Sequence, residues 1–180
     1  MDFRNQEVVL KLSGILFNLK NSKIDTRRKE GYTLKVTKLK ENKIMNKDFV
    51  EDIVPGDYRT RGSYTPAKKI DLGDHYLIFV SGIQAPKEDD SHRVVTDDVE
   101  EQTRLVFEDI KKILSLAGAS IDDVVKAVIY ITDMNDFDKI SPIRADYFKN
   151  CMPVSSLIEA NRMTRDGAKI EVEVTAILKK

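Results

Sequence analysis

The most regular alternation of apolar and polar residues lies near the end of the chain, in the segment AKIEVEVTAIL that starts at Ala168. Ile170 and Val172 alternate there with Glu171 and Glu173. A period of two predicts a β-strand that has one apolar face and one polar face.

Two earlier segments are apolar on both faces, apart from Lys126. They are HYLIFVSG from His75 and VVKAVIYI over 124–131. Both predict central strands that must be covered on both sides. Residues 68–72 and 155–160 predict two shorter strands.

A polar loop over 84–95 leads to the first predicted helix. We expect Thr96 to cap this helix, acidic side chains to fill its first turn, and Gly118 to end it. Its apolar residues recur with the period of an α-helix, so they form one stripe that can face the core. They are Val99, Val106, Ile110, Ile113, Leu114 and Ala117.

A second helix is predicted within 134–150, because Pro142 falls early enough to be tolerated. Its predicted inner side consists of Phe137, Ile140, Ile143, Arg144 and Tyr147.

The resulting order β-β-α-β-α-β-β predicts an α+β domain with two helices on one face of the sheet. Each large apolar side chain contributes about 1.5–3 kcal/mol when buried, so an uncovered second face would be costly. The simplest cover is another copy of the chain, and we therefore expect a homo-oligomer.

The composition changes near Val54, which divides the chain into an N-terminal extension over 1–53 and a domain over 54–180. The extension is rich in lysine and asparagine, and we expect it to be only partly ordered. Within it, 8–19 predicts a short helix interrupted at Gly14, and 32–39 predicts a strand.

The 30 basic and 30 acidic residues give no net charge, which provides no overall argument for nucleic acid or membrane binding. Residues 1–60 hold 13 basic and 9 acidic side chains, so the small basic surplus lies in the extension. We read that surplus as a solvated tail and expect no nucleic acid partner.

Cys151 is the single cysteine, which fits a reducing compartment. No apolar run is long enough to cross a membrane. The first residues include Asp2 and Glu7 and make a poor secretory signal. We expect a cytoplasmic protein, with an organelle-targeting segment as the other reading.

Several segments, taken in order, resemble the RidA family, also called YjgF or L-PSP. The most specific is VVKAVIYITDMNDF; the others include GSYTPAKKIDLGDHYLIFVSG and MPVSSLIEANR followed by KIEVEVTA. The resemblance covers about 120 residues. It implies a homotrimer of chorismate-mutase-like subunits, with a mixed sheet and with clefts at the subunit interfaces. Its typical activity is hydrolysis of 2-imino or enamino acids to 2-keto acids and ammonia.

The resemblance also implies roles for single residues. Tyr64 and Glu171 match the family's catalytic positions, and Ser81 and Gly82 match its Ser-Gly turn. Ile83 stands where the family usually has glutamine. No cofactor or metal is implied.

Three further positions depart from the family pattern. Ser141 stands where an asparagine is usual, and Arg144 where a tyrosine is usual. The family's Pro-Ala-Arg-Ser reads Pro-Val-Ser-Ser here, so that Ser155 replaces the arginine that clamps the substrate carboxylate. We expect Ser141, Arg144 and Ser155 to contact the ligand, and 2-imino acid turnover to be lost or altered.

Another arginine could take over the anion contact, and Arg144 is the candidate we favour over Arg61 and Arg162. The alternative is that Arg144 forms an ion pair at the surface or at a subunit contact. Glu171 and Glu173 share one strand face and suit acid-base chemistry, unless Lys126 or Lys169 pairs them.

Other chemistries find less support. Neither histidine lies where it could activate Ser155 or Ser156 as a nucleophile, and a lone thiol such as Cys151 is usually inert. No cysteine and histidine cluster has metal-ligand spacing.

The sequence thus predicts a trimer that binds a small metabolite, with imine or enamine hydrolysis as its activity if it is an enzyme. The alternatives are an RNA-acting or translation-inhibiting protein that uses the basic extension, and a structural subunit that pairs with other family members.

Overall fold

A computed structural model describes residues 8–12, 15–19, 49–56, 63–88 and 91–180. The chain forms two compact units, Met1–Ile44 and Met45–Lys180. The expected strand over 32–39 and Arg61 lie outside the described residues.

The described part of the first unit is an antiparallel strand pair, β1 (Val8–Leu12) and β2 (Ile15–Leu19). The helix predicted over 8–19 is therefore wrong. Each strand is a five-residue run rich in apolar residues, and Ser13-Gly14 between them is a pair typical of a tight turn. Each five-residue run is much shorter than the roughly 12–15 residues that an isolated helix needs to be stable.

The described residues of the second unit form six strands and two α-helices. They are β3 (Val50–Ile53), β4 (Ala67–Asp71), β5 (His75–Gln84), α1 (Val99–Leu116), β6 (Val124–Ile131), α2 (Phe137–Phe148), β7 (Val154–Glu159) and β8 (Ile170–Lys179). The strands form one sheet in the order β3-β4-β5-β8-β6-β7. Every pair is antiparallel except β6 and β7, so the sheet is mixed.

The predicted α+β class, with two helices on one face of a mixed sheet, is confirmed. The strand β3 was not predicted, because it lies before the composition change at Val54 and is only four residues long. It pairs with β4, Val50 opposite Ile70, and extends the sheet beyond the predicted element order.

The helix α1 begins at an Asp98 cap and not at the expected Thr96. The carboxylate of Asp98 accepts hydrogen bonds from the backbone N–H groups of Glu100 (2.8 Å) and Glu101 (3.1 Å). The hydroxyl of Thr96 accepts the N–H of Asp98 instead, at 3.1 Å. Gly118 follows the helix with a φ of 79°, in the left-handed region, as expected for a helix stop.

The core lies between the helices and one face of the sheet. Phe107 of α1 is fully buried; its ring stacks on Tyr147 at 4.6 Å and meets Phe148 edge-on at 5.2 Å. Phe148 was missed as an inner residue of α2, whereas Phe137, which was expected there, is 37% exposed. The inner face of α2 is therefore shifted toward its C-terminal turn.

The buried Gln102 connects α1 to the loop before β8. Its side-chain amide donates to the carbonyl oxygens of Thr96 (2.8 Å) and Gly167 (2.9 Å). Its oxygen accepts the backbone N–H of Lys169 at 2.8 Å. The amide is thus used in full to hold three backbone groups.

Replacing Asp98 by alanine should lower the melting temperature at pH 7, because two N–H groups of the first turn lose their acceptor. Hydrogen bonds from the N–H groups of Glu101 and Glu100 hold the pKa of Asp98 below its ordinary value. A depressed pKa means that this stabilisation is present above the ordinary carboxyl range and is lost as the pH falls.

Melting curves of the original chain and the Asp98→Ala variant should therefore converge as the pH falls below about 4. A difference in melting temperature that persists unchanged at pH 2 would contradict the cap assignment.

Candidate functional site

The helices leave one face of the sheet uncovered within a single subunit, and we call this the open face. On β8 the buried Val172 and Val174 face the helices, while Glu171, Glu173 and Thr175 are partly exposed. Phe79 of β5 and Lys126 of β6 are exposed and pair with Thr175, while the buried Val80 and Ala127 pair with Val174 on the helix side. Apolar side chains of the open face are also exposed, including Phe79 at 45% and Ile177 at 44%.

A cleft of about 530 Å³ lies on the open face. Its lining combines apolar, hydroxyl-bearing and charged side chains from β4, β5, β6, β8 and the segment before β4. The lining residues are Ser63, Tyr64, Thr65, Ala67, Lys68, Phe79, Val80, Ser81, Lys126, Val128, Glu173, Val174 and Thr175.

Two of the predicted site residues, Tyr64 and Ser81, line this cleft. The hydroxyl and the backbone N–H of Ser81 both donate to the carbonyl oxygen of Pro66, each at 2.9 Å. Ser81 thereby holds the segment that carries Tyr64 against β5. The ring of Tyr64 remains 56% exposed and is free to pack on a ligand.

Gly82 and Glu171, two further predicted residues, lie in direct contact. The pairing of β5 with β8 is irregular between Val80 and Ile83, which places Gly82 in a bulge. A Cβ atom at Gly82 would lie 2.0 Å from Oε1 of Glu171, so a side chain there would displace this carboxylate.

The carboxylate of Glu171 is oriented by Gln84, a buried residue that the sequence did not single out. The amide nitrogen of Gln84 donates to Oε2 of Glu171 and, at 2.8 Å, to the hydroxyl of Thr164. Its oxygen accepts the N–H of Arg165 at 3.1 Å. These three bonds fix the orientation of the amide. Oxygen Oε1 of Glu171 lies toward the space that a side chain at Gly82 would occupy.

The charged groups of the cleft differ in their partners. Lys68 forms an ion pair with Asp52 at 2.5 Å. Among the residues that the structure describes, neither Lys126 nor Glu173 forms an ion pair. The alternative that Lys126 pairs the β8 carboxylates therefore does not hold within one subunit.

Gly82 and Glu171 are not among the lining residues of the cleft, and the other three predicted residues also lie away from it in a single subunit. Ser155, on the edge strand β7, is in register with Ala127, which is buried under the helices. Ser156 is in register with Val128 of the cleft.

Ser141 and Arg144 belong to the helix layer, where the guanidinium of Arg144 lies 6.0 Å from the ring of Phe137. The predicted site residues thus fall into two groups, one on the open face and one on the helix side.

Two other groups with altered pKa values lie on the helix side. Burial, followed by a hydrogen bond to Glu108, raises the pKa of Tyr147 to about 12, so this phenol stays protonated. Burial also raises the pKa of the Cys151 thiol, which disfavours the nucleophilic thiolate. Both findings fit structural roles.

Within the described ranges, no cluster of three or more histidine, cysteine or carboxylate side chains could hold a metal ion. In the same ranges, no helix is long and apolar enough to span a membrane.

Comparison with known proteins gives a consistent result. A family model described as "Endoribonuclease L-PSP" matches residues 58–178. A RutC family protein of Pyrococcus abyssi is 40% identical over 115 residues, which is 64% of this chain and 86% of the relative. The TdcF protein of Escherichia coli K12, named as a candidate reactive intermediate deaminase, is 32% identical over 66% of this chain and 92% of its own length.

Solved structures agree. YyfA of Yersinia pestis, assigned to the Rid family, superposes with a TM-score of 0.61 and 32% identity, covering 71% of this chain and 98% of YyfA. The structure of Escherichia coli TdcF with bound serine gives a TM-score of 0.55 and 30% identity, covering 71% of this chain and 94% of TdcF.

Proposed function

Since the chain belongs to the endoribonuclease L-PSP family, which includes the RidA and YjgF proteins, we propose that it binds a small metabolite and hydrolyses an imine or enamine. In this reaction a water oxygen adds to the carbon of the C=N bond, ammonia leaves and a carbonyl group remains. The name of TdcF, and the serine bound in its structure, support a small amino-acid-like ligand.

The contact between Glu171 and Gly82 carries this proposal. A general base needs a carboxylate that is held in place but has one oxygen free to accept a proton from water. Gln84 occupies Oε2 of Glu171, and Oε1 faces the bulge at Gly82. Backbone groups of the bulge would lie beside the reacting nitrogen, and the exposed ring of Tyr64 would pack on the rest of the ligand.

The separation of the predicted residues supports a site shared between subunits. Tyr64, Gly82 and Glu171 lie on the open face, whereas Arg144 and Ser155 lie on the helix side. The two groups can meet only if the open face of one subunit packs on the edge of another. We propose a homotrimer in which Phe79, Ile177 and other exposed apolar residues are covered in this way.

A trimer should have a sedimentation mass of three chains at micromolar concentration. Phe79→Asp should reduce this mass, because a charge would then be buried in the contact. A monomeric original chain would contradict the proposed assembly.

Turnover of ordinary 2-imino acids is expected to be weak, because Ser155 supplies neither the charge nor the planar donors of the family arginine. Charge-assisted hydrogen bonds contribute about 1.5–3 kcal/mol each. Loss of a bidentate pair should therefore reduce kcat/KM for 2-iminobutanoate at least about a hundredfold.

The measurement uses an amino-acid oxidase to generate the imine, and follows its decay with the purified chain and with an arginine-bearing relative as reference. Equal rates for the two proteins would refute the proposed role of position 155.

The family description also favours a second candidate function, the cleavage of RNA. The basic surplus of residues 1–60 would then contact phosphates, and binding would weaken steeply with salt. Cleavage of single-stranded RNA by the full chain, lost at high salt, would favour this candidate.

We place the protein in the cytoplasm because its single cysteine suits a reducing compartment.

A further inference from the structure

The loop that joins β7 to β8, residues 160–169, covers part of the open face within a single subunit. Gln84, the last residue of β5, pairs with Glu171 on that face, whereas its neighbour Ile83 pairs with the buried Val172 on the helix side. Gln84 is nevertheless only 6% exposed, and its side chain is hydrogen bonded to the loop. The loop therefore shields the amide that contacts Glu171, and no other subunit is needed for this.

Arg165 of this loop makes three hydrogen bonds at the end of β5. Its guanidinium nitrogen Nη1 donates to the backbone carbonyl oxygens of Gln84 (3.0 Å) and Ala85 (2.5 Å). Its backbone N–H donates to the side-chain oxygen of Gln84 at 3.1 Å. The guanidinium thus fastens the loop to the strand, and this attachment brings the N–H of Arg165 to the amide oxygen.

The N–H of Arg165 decides which atom of the Gln84 amide faces Glu171. The amide nitrogen donates to Oε2 of Glu171 and to the hydroxyl of Thr164. If the amide turned over, its oxygen would face the carboxylate, and its NH₂ group would face the N–H of Arg165. Two hydrogen bonds would then become repulsive contacts, so the loop selects the orientation in which Gln84 is a donor.

We propose that Arg165 is a positioning residue for the Glu171 carboxylate and acts through the amide of Gln84. This inference rests on the proposed function, since it deepens the role of Glu171 as the general base. With Oε2 held by a donor of fixed orientation, Oε1 stays directed toward Gly82. Without the guanidinium, the backbone N–H of the loop would move away from the amide, and the carboxylate would lose its fixed donor.

The loop keeps other anchors when this guanidinium is removed. The N–H of Asp166 donates to the carbonyl oxygen of His92 at 2.9 Å, and the carbonyl oxygen of Asp166 accepts the N–H of Val94 at 3.0 Å. A substitution of Arg165 should therefore act on Gln84 and leave the domain folded.

The first test is hydrogen exchange at the side-chain amide of Gln84, followed by NMR in the ¹⁵N-labelled full chain. The signal is assigned by its absence in Gln84→Met. Arg165→Met should accelerate this exchange at least about tenfold, because the amide then opens more often to water. Arg165→Lys should retain most of the protection, since an ammonium group can still donate to both carbonyl oxygens.

Arg93→Met is the matched control. Arg93 is bridged to the same loop at Asp166, but its exposed guanidinium forms an ion pair with Asp97. Its loss should change the exchange at Gln84 less than about twofold, because exposed ion pairs contribute little. Equal acceleration in Arg93→Met and Arg165→Met would overturn the assignment.

The second test is imine turnover in the oxidase-coupled assay. Arg165→Met should lower kcat about tenfold and leave KM within about twofold, since the base is misplaced while the ligand contacts remain. Gln84→Met should cause a similar loss. The double variant should be no slower than Gln84→Met alone, because Arg165 acts through the amide. Additive losses in the double variant would overturn the proposal.

The two tests separate this inference from the proposed reaction. Faster exchange at Gln84 in Arg165→Met, in a chain without imine turnover, would retain the positioning of the carboxylate and reject the hydrolase. Unchanged exchange and unchanged kcat in Arg165→Met, in a chain that does turn over the imine, would retain the hydrolase and reject the role of Arg165.

Discussion

Replacing Gln102 by leucine should destabilise the domain by about 3 kcal/mol, a large effect for a single side chain of nearly unchanged volume. Three backbone groups, the carbonyls of Thr96 and Gly167 and the N–H of Lys169, lose their partner together. Each polar group left unpaired in a buried position costs about 1–3 kcal/mol. Urea denaturation measures the loss as a lower transition midpoint with an unchanged slope.

Glu101→Leu is the matched control for this substitution. It introduces the same residue one position earlier on α1, where the side chain is exposed and makes only a long contact of 4.0 Å with Arg104. Its effect should stay within about 0.5 kcal/mol. If both variants unfold at the same urea concentration, the buried amide does not anchor the loop.

Ser155→Arg should raise kcat/KM for 2-iminobutanoate about a hundredfold, the second large effect that we expect. The substitution restores a planar cation that can grip a carboxylate through two parallel hydrogen bonds. Ser155 is exposed on the edge strand β7, so the longer side chain can be accommodated without repacking the core. The oxidase-coupled assay measures the gain directly.

Ser156→Arg provides the comparison, since it adds the same charge one residue away and on the opposite face of β7. We expect it to leave the low rate unchanged. A gain in Ser156→Arg and none in Ser155→Arg would mean that the arginine of the family corresponds to the neighbouring position.

The regular parts of the fold were predictable because burial there follows a local period. In β8, apolar and polar residues alternate, and in α1, apolar residues form one stripe. Each pattern identifies the buried face of its element from the sequence. Predictions failed where competing local signals had to be weighed. Thr96 and Asp98 are both good cap residues, and only the geometry shows that Asp98 accepts the two N–H groups.

The site was predictable only in part, for a different reason. The resemblance identified Tyr64, Gly82 and Glu171, which the structure places on one face. It did not identify Gln84, because its contact with Glu171 joins residues 87 positions apart and leaves no periodic signal. A stricter period-two reading of β6 would have placed Lys126 and Val128 on the cleft side.

The position of β8 between β5 and β6 has a consequence for synthesis of the protein. Of the six strands, the one made last lies in the middle of the sheet, so β5 and β6 have no neighbour in common until it arrives. Domains generally fold during translation as their segments leave the ribosome. Until residue 179 has emerged from the exit tunnel, β5 pairs only with β4 and β6 only with β7, so one edge of each apolar strand has no partner.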